Sequence, residues 1–263
     1  MRLIITGATG AAGSEVLRQA LLDSRVTTVT TLTRSPLPPH LLSSSTESSK
    51  LTQVLHKDFS SYPPELLDKL SNHDACVWAL GTSSIGMTDE EYTKVTYEYA
   101  IEAAKAFGGL KKEDSEEGEK KFVFAYLSGA RTTQDQKNDR SGWFSSPMWA
   151  KVKGRTELEL AQLPSIQSYS FRPAFIVPLT LPPPEFRSRY NTPFFQSVGK
   201  IIGSFSSTGA VGADVLAKGM IRSCLEGGSG GGVPGWPGKG KEGNQGVFEN
   251  AEIRRLGEGL AAK

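Results

Sequence analysis

The sequence predicts an α/β fold: a doubly wound parallel sheet with small elements added on the substrate side near its C-terminus. Three observations predict it. The chain opens on an apolar run, Leu3-Ile4-Ile5, which ends in the glycine-rich stretch TGATGAAG (Thr6–Gly13) and passes directly into an amphipathic segment. Apolar or β-branched runs then alternate with helical patterns as far as Val177. At 263 residues the chain is also long enough to bury a sizeable core as one unit. Such a succession of strands and helices packs as a parallel sheet with right-handed crossovers.

The first strand ends at Thr6. Gly7 allows a tight turn, Gly10 lets the backbone approach a pyrophosphate, and Gly13 lets the next helix pack closely on the sheet. That helix runs through Glu15, Val16, Leu17, Ala20 and Leu21, whose apolar members share one face of a 3.6-residue period. Its N-terminal N–H groups and dipole favour phosphates. Strand, turn and helix in this order point to a dinucleotide site; the plainer alternative is a glycine-rich turn and nothing more. Val26–Thr33, VTTVTTLT, reads as a second strand because β-branched residues dominate it. It ends at Arg34, where an NAD-binding chain usually carries an acidic residue for the ribose 2′-OH. A guanidinium suits a 2′-phosphate, so NADP(H) is expected over NAD(H), against the alternative of a solvated surface arginine.

Leu51–Phe59 reads as a third strand ending in Asp58-Phe59, and Pro63–Leu70 as a short helix. Ala75–Gly81, ACVWALG, is almost continuously apolar, as in a sheet covered on both faces. A long helix is expected over Asp89–Phe107, with Asp89, Glu90 and Glu91 in its first turn, where the macrodipole favours anions. Lys121–Leu127 follows as a strand, Met148–Leu163 as a helix and Ser168–Val177 as a last core strand closed by Pro178. Three segments read as decoration: the proline- and serine-rich Ser35–Lys50, the charge run Lys111–Lys121, and Glu226–Gly246, a flexible linker with ten glycines in 21 residues. Beyond it, Val247–Ala262 regains helical periodicity through Ile253, Leu256 and Leu260, so residues 247–263 are expected to dock back as a C-terminal helix. The whole chain, 1–263, reads as a single domain.

Composition narrows the function. A net charge of +2 gives no reason to invoke nucleic acid or an anionic membrane. His40, His56, His73, Cys76 and Cys224 are too scattered for a metal site or a CxxC pair, and Cys76 reads as a small buried thiol in a core strand. With neither a signal-peptide core nor an 18-residue apolar run, a reducing cytoplasmic setting is the default expectation.

Taken in order, TGATGAAG, Arg34, Asp58-Phe59, Ala79-Leu80-Gly81, Tyr126-Leu127-Ser128-Gly129 and Lys153-Gly154-Arg155-Thr156-Glu157 resemble the extended and atypical short-chain dehydrogenase/reductases, a Rossmann-fold family. The nearest likeness is to small NAD(P)-binding proteins related to nucleoside-diphosphate-sugar epimerases, a type frequent in fungi, and it covers Met1 to Val177. The resemblance implies that Thr9, Gly10, Ala11 and Ala12 wrap the pyrophosphate and that Arg34 holds the 2′-phosphate of NADP. It places Asp58 and Phe59 at the adenine edge, and Leu80 and Gly81 beside the ribose. It further implies that Ser128 hydrogen-bonds the substrate oxygen. Lys153 would hold the nicotinamide ribose and lower the pKa of a neighbouring tyrosine. The plainer readings are a strand-end hydroxyl for Ser128 and an exposed helix lysine for Lys153.

One position departs from the family. Its catalytic tyrosine stands four residues before the lysine, one helical turn along the same face; here that residue is Trp149. An indole N–H donates a hydrogen bond but exchanges no proton near neutral pH. A replacement donor would be Tyr126, Tyr190 or a water held by Lys153. Alternation turns Tyr126 into the sheet, where packing explains it, and Tyr190 falls in Pro182–Pro193, expected to roof the substrate cleft. Two functions stay open: an NADP(H)-dependent oxidoreductase or related enzyme on a small organic substrate, and a non-catalytic NADP(H)-sensing protein with a protein partner. With Trp149 in place, little turnover of generic aldehydes and ketones is expected. Full nucleotide-sugar epimerisation is disfavoured, because only about 85 residues follow the last core strand.

Overall fold

The computed structural model describes residues 1–42, 48–110, 121–136, 146–179, 183, 209–227 and 245–259. Its centre is a seven-stranded parallel sheet in the order β3-β2-β1-β4-β5-β6-β9. The strands are β1 (Arg2–Thr6), β2 (Thr28–Thr33), β3 (Leu51–Leu55), β4 (Ala75–Trp78), β5 (Phe122–Leu127), β6 (Ile166–Arg172) and β9 (Gln245–Glu249). A separate parallel pair joins β7 (Phe175–Val177) to β8 (Ala210–Gly212). The order reverses on either side of β1, which pairs with β2 on one flank and with β4 on the other. That switch point opens a crevice beyond the carboxyl ends of the strands.

Side-chain alternation splits the core into two layers. Leu3, Ile5, Ala75, Val77, Val123 and Ala125 face one side, together with helices α1 (Ala11–Leu22), α7 (Ala213–Glu226) and α8 (Asn250–Gly257). Ile4, Cys76, Trp78, Phe122, Phe124 and Tyr126 face the other, against α3 (Pro64–Lys69), α5 (Tyr99–Gly108) and α6 (Met148–Gln162); the single turn α2 (Pro39–Leu42) follows β2 in the chain. Both faces of β4 are therefore buried, as its continuous apolar run requires. Cys76 is fully buried, and burial pushes its thiol well above the usual range.

Most of the expected elements form, with changes at their ends. The long helix starts at a capping box between Thr88 and Glu91, but it reads as α4 (Asp89–Thr93), a wide π turn over Lys94–Glu98, and then α5. The third strand stops at Leu55, so Asp58-Phe59 lies in the turn beyond it. The expected strand Ser168–Val177 is two strands in different sheets. Pro173 has no N–H to continue the ladder, and its carbonyl accepts the Ala130 N–H at 2.8 Å.

The C-terminal expectation needs correction. Gln245–Glu249 forms the edge strand β9, pairing with β6 from Ser168↔Gln245 to Arg172↔Glu249, and the helix begins only at Asn250. Phe248 accounts for the strand: it is buried and stacks on Phe171 with ring centroids 5.0 Å apart. The segment does dock on the domain, with α8 packing against α7. Helix α7 had no counterpart in the sequence reading, and its Leu216, Ala217, Met220 and Ile221 complete the layer over α1. Most of the glycine-rich stretch, the charge run 111–120, residues 43–47 and all of Pro182–Pro193 except Pro183 lie outside the described residues. No described helix is long and apolar enough to cross a membrane, and no three potential metal ligands converge among the described residues.

Candidate functional site

Two of the three glycines in the first turn weld the loop to its surroundings, and the third leaves space. Gly7 adopts φ +66, and a Cβ there would lie 2.3 Å from the Ala79 carbonyl oxygen. Gly13 lies against the Gly7 carbonyl, where a Cβ would come within 2.1 Å. At Gly10 a Cβ would meet only the Gly7 oxygen, at 3.3 Å. The Gly10 N–H closes the turn on that oxygen at 2.9 Å, and the Leu80 N–H donates to the Thr6 hydroxyl at 3.3 Å. No side chain caps α1 and no acidic residue stands in its first turn, so the positive end of its dipole is left for an incoming anion.

These elements enclose a cleft of about 220 Å³. It brings together Gly7, Thr9 and Gly10 from the turn, Arg34 from the end of β2, Phe59, and Leu80-Gly81 from the end of β4. Ala11 and Ala12 begin α1 immediately after Gly10, and Ala12 is buried. Phe59 is held edge-on against the buried Trp78, with centroids 6.0 Å apart. Arg34 is exposed. Asp58 is not part of the lining. Its carboxylate accepts from the Ser60 hydroxyl at 2.5 Å and the Ser60 N–H at 3.0 Å, bonds that hold it below the usual carboxylate range.

A second cluster forms where α6 crosses the end of β5. The Lys153 ammonium donates to the Ser128 carbonyl at 2.8 Å and to the Leu127 carbonyl at 3.4 Å. Burial pushes this amine down to about 8, and the Glu157 carboxylate acts in the opposite direction. Ser128 is buried; its N–H donates to the Phe171 carbonyl at 2.8 Å and its hydroxyl to Glu157 Oε1 at 2.6 Å. Glu157 also accepts from Gln134 Nε2 and Arg172 Nε, each at 2.9 Å, and from Arg172 Nη2. Arg172 reaches on to Glu249 of β9 at 2.9 Å. Gly154 makes the crossing possible: a Cβ would lie 1.7 Å from the Thr133 carbonyl oxygen, so the loop after β5 rests directly on α6.

The carbonyls at the end of β5 thus bring Lys153 and Ser128 together, but the Ser128 hydroxyl is taken up by Glu157. Trp149 lies partly buried in the first turn of α6. Tyr126 is a core residue, 2% exposed, whose phenol burial pushes well above its usual range, and it is not part of the cleft lining. Tyr190 lies outside the described residues. Sequence reasoning missed the part played by Glu157 and Arg172. The available signal was the four-residue step from Lys153 to Glu157, which puts both on one helix face.

No family model matches the chain. Over 128 residues, 49% of its length, it is 31% identical to the leucinostatins biosynthesis cluster protein T of Purpureocillium lilacinum, of which it covers 42%. Over 95 residues, 36% of its length, it is 34% identical to the nonribosomal peptide synthetase malG of Malbranchea aurantiaca, of which it covers 4%. The chain therefore spans less than half the length of these relatives. Among solved structures, the UDP-glucuronic acid 4-epimerase from Bacillus cereus in complex with NAD superposes with a TM-score of 0.55 at 17% identity, over 84% of this chain and 72% of that one. The PhqB reductase domain from Penicillium fellutanum does so with a TM-score of 0.56 at 15% identity, over 84% and 63%. Sheet order, glycine-rich turn and these superpositions together define the class: a Rossmann fold of the kind seen in short-chain dehydrogenase/reductases and nucleotide-sugar epimerases.

Proposed function

We propose that the chain is an NADP(H)-binding oxidoreductase of the atypical short-chain dehydrogenase/reductase kind, acting on a small organic carbonyl compound. One observation carries this reading. The phosphate-type turn and an exposed Arg34, which makes no hydrogen bond or ion pair with another described residue, line the same cleft. The residues present fit the dinucleotide. Gly10 leaves room for the pyrophosphate, the uncapped N-terminus of α1 favours its charge, Arg34 matches the 2′-phosphate, and Phe59 offers an aromatic surface to the adenine. Bound NADPH would supply a hydride; Lys153 would donate to the nicotinamide ribose and orient it. One relative is named for a leucinostatins biosynthesis cluster and the other is a nonribosomal peptide synthetase, which supports a substrate from natural-product biosynthesis.

A second reading, a non-catalytic NADP(H) sensor acting through a protein partner, is favoured by one feature: Trp149 stands where a proton donor is needed, and Tyr126 is buried away from that task. Trp149→Tyr separates the two. NADPH oxidation is followed with a panel of aldehydes and ketones. If the site is a reductase lacking only its acid, the slow wild-type turnover rises about 10²–10⁴-fold, the usual contribution of a general acid. Turnover that stays at background in a variant that still binds NADPH favours the sensor.

A further inference from the structure

The matched serine of this site has its proton in the wrong place for the role that the resemblance assigns to it. A carboxylate gripped by the fork of Arg172 accepts and does not donate, so the 2.6 Å contact fixes Ser128 as donor and Glu157 as acceptor. A hydroxyl has one proton. The Ser128–Thr132 contact, at 3.2 Å, must then run from Thr132 to Ser128, and Ser128 has nothing left to donate to a substrate oxygen. What Ser128 does present is its carbonyl, and that is the 2.8 Å acceptor of the Lys153 ammonium.

Glu157 is fully buried and sits one helical turn beyond Lys153 on α6. Removing a buried carboxylate from water is costly unless its charge is matched and its oxygens are bonded. Here four protein N–H or O–H bonds converge on it from the end of β5, the following loop and β6. We infer that Glu157 is the positioning residue of the candidate site: its carboxylate fixes Ser128, and with it the carbonyl that grips the Lys153 ammonium, while also supplying that ammonium with a counter-charge. The inference rests on the role proposed above for Lys153. Two carbonyls occupy two N–H bonds of the ammonium, which leaves the third for the nicotinamide ribose.

The other described charged groups around this cluster have the following places. Arg172 is paired with Glu157 and Glu249. Arg131, exposed, and Asp135 belong to the loop after β5. On the α4–α5 side of α6, Arg155 lies over the Tyr97 ring and Tyr97 donates to Glu159. Tyr126 is kept neutral by burial. Among the described residues, Glu157 is the one charged partner that favours the protonated form of Lys153.

The test is a titration of the Lys153 amine in the 263-residue chain, by side-chain NMR of ¹⁵N-lysine-labelled protein, with Lys153→Met assigning the signal. The wild-type midpoint is expected at about 8. Glu157→Gln should lower it by about one pH unit or more, the scale of a lost opposite charge nearby. Glu249→Gln, at the exposed end of the same chain of pairs, should leave it in place. If Glu157→Gln does not fold, Glu157→Asp answers the question: a carboxylate one methylene shorter recedes from the amine, and the midpoint falls by about half a unit. An unmoved midpoint in whichever variant folds overturns the inference. The alkaline limb of NADPH affinity should shift down together with the amine in Glu157→Gln. Uniform weakening with an unmoved limb would make Glu157 merely structural. The titration needs no cofactor, so it stands apart from the NADP(H) reading, which fails instead if the wild type does not bind NADPH.

Discussion

Gly13→Ala and Gly10→Val, two changes three residues apart, should fail in opposite ways. A Cβ on Gly13 would lie 2.1 Å from the Gly7 carbonyl oxygen, more than 1 Å inside any normal contact, and that oxygen is a main-chain atom that cannot swing aside. The first turn of α1 must lift off the loop to accept it. Overpacking of this kind costs about 1–3 kcal/mol, and in a chain of this size each kcal/mol lowers Tm by about 2–4 °C. Gly13→Ala should therefore melt roughly 2–12 °C below wild type. Gly10 has φ −81 and ψ 167, open to any residue, and its Cβ would meet a single oxygen at 3.3 Å. Gly10→Val asks that oxygen to give by only a few tenths of an ångström, so it should cost less stability than Gly13→Ala, and it stands in the space proposed for the pyrophosphate. Losing even one charge-assisted phosphate bond, about 1.5–3 kcal/mol, weakens binding about 10- to 150-fold. Calorimetric melting and NADPH titration of both variants provide the readings. A folded Gly10→Val that binds NADPH like wild type, or a Gly13→Ala with unchanged Tm, refutes the division of labour in the turn.

Two further outcomes follow from burial. Phe248→Ala should destabilise the chain by about 3–5 kcal/mol in urea denaturation, because it empties a buried position stacked on Phe171; a loss under about 1 kcal/mol would mean that β9 is not part of the sheet. Burial holds the imidazoles of both His56 and His73 below their usual value, so between those lowered values and about 6.5 the unfolded chain binds more protons than the folded one. Stability should be fully present above pH 6.5 and decline as the pH falls from 6.5 to 5; a flat or rising urea midpoint over that range contradicts it.

The parts of the fold that were legible are those written locally. Leu3-Ile4-Ile5 before a glycine turn, the β-branched run ending at Thr33 and the apolar Ala75–Trp78 each declare a strand within a few residues, and all three sit at the centre of the sheet. The cleft residues Gly7, Gly10 and Arg34 were readable because they hang on the ends of such strands, whereas Thr9, Phe59, Leu80 and Gly81 were named only by the family resemblance. The edge was not. Val247-Phe248-Glu249 is a short run whose pairing with β6 crosses more than seventy positions of sequence, and Ile253 and Leu256 impose a helical period on everything around them. The break at Pro173 was visible as a proline, but nothing local says that Phe175–Val177 joins another sheet. Glu157 and Arg172 are fifteen positions apart on a helix and a strand, a spacing with no local rule, so their meeting over Ser128 appears only in three dimensions.

The central claim is that the cleft between the glycine turn and Arg34 takes a 2′-phosphorylated dinucleotide. Isothermal titration of the wild type and of Arg34→Ala with NADPH and with NADH tests it most directly. A guanidinium–phosphate contact contributes about 1.5–3 kcal/mol, so wild type should bind NADPH about 10- to 150-fold more tightly than NADH, and Arg34→Ala should lose that preference while keeping its affinity for NADH. Equal affinities of the wild type for the two cofactors, or an Arg34→Ala variant that keeps the preference, would contradict the account.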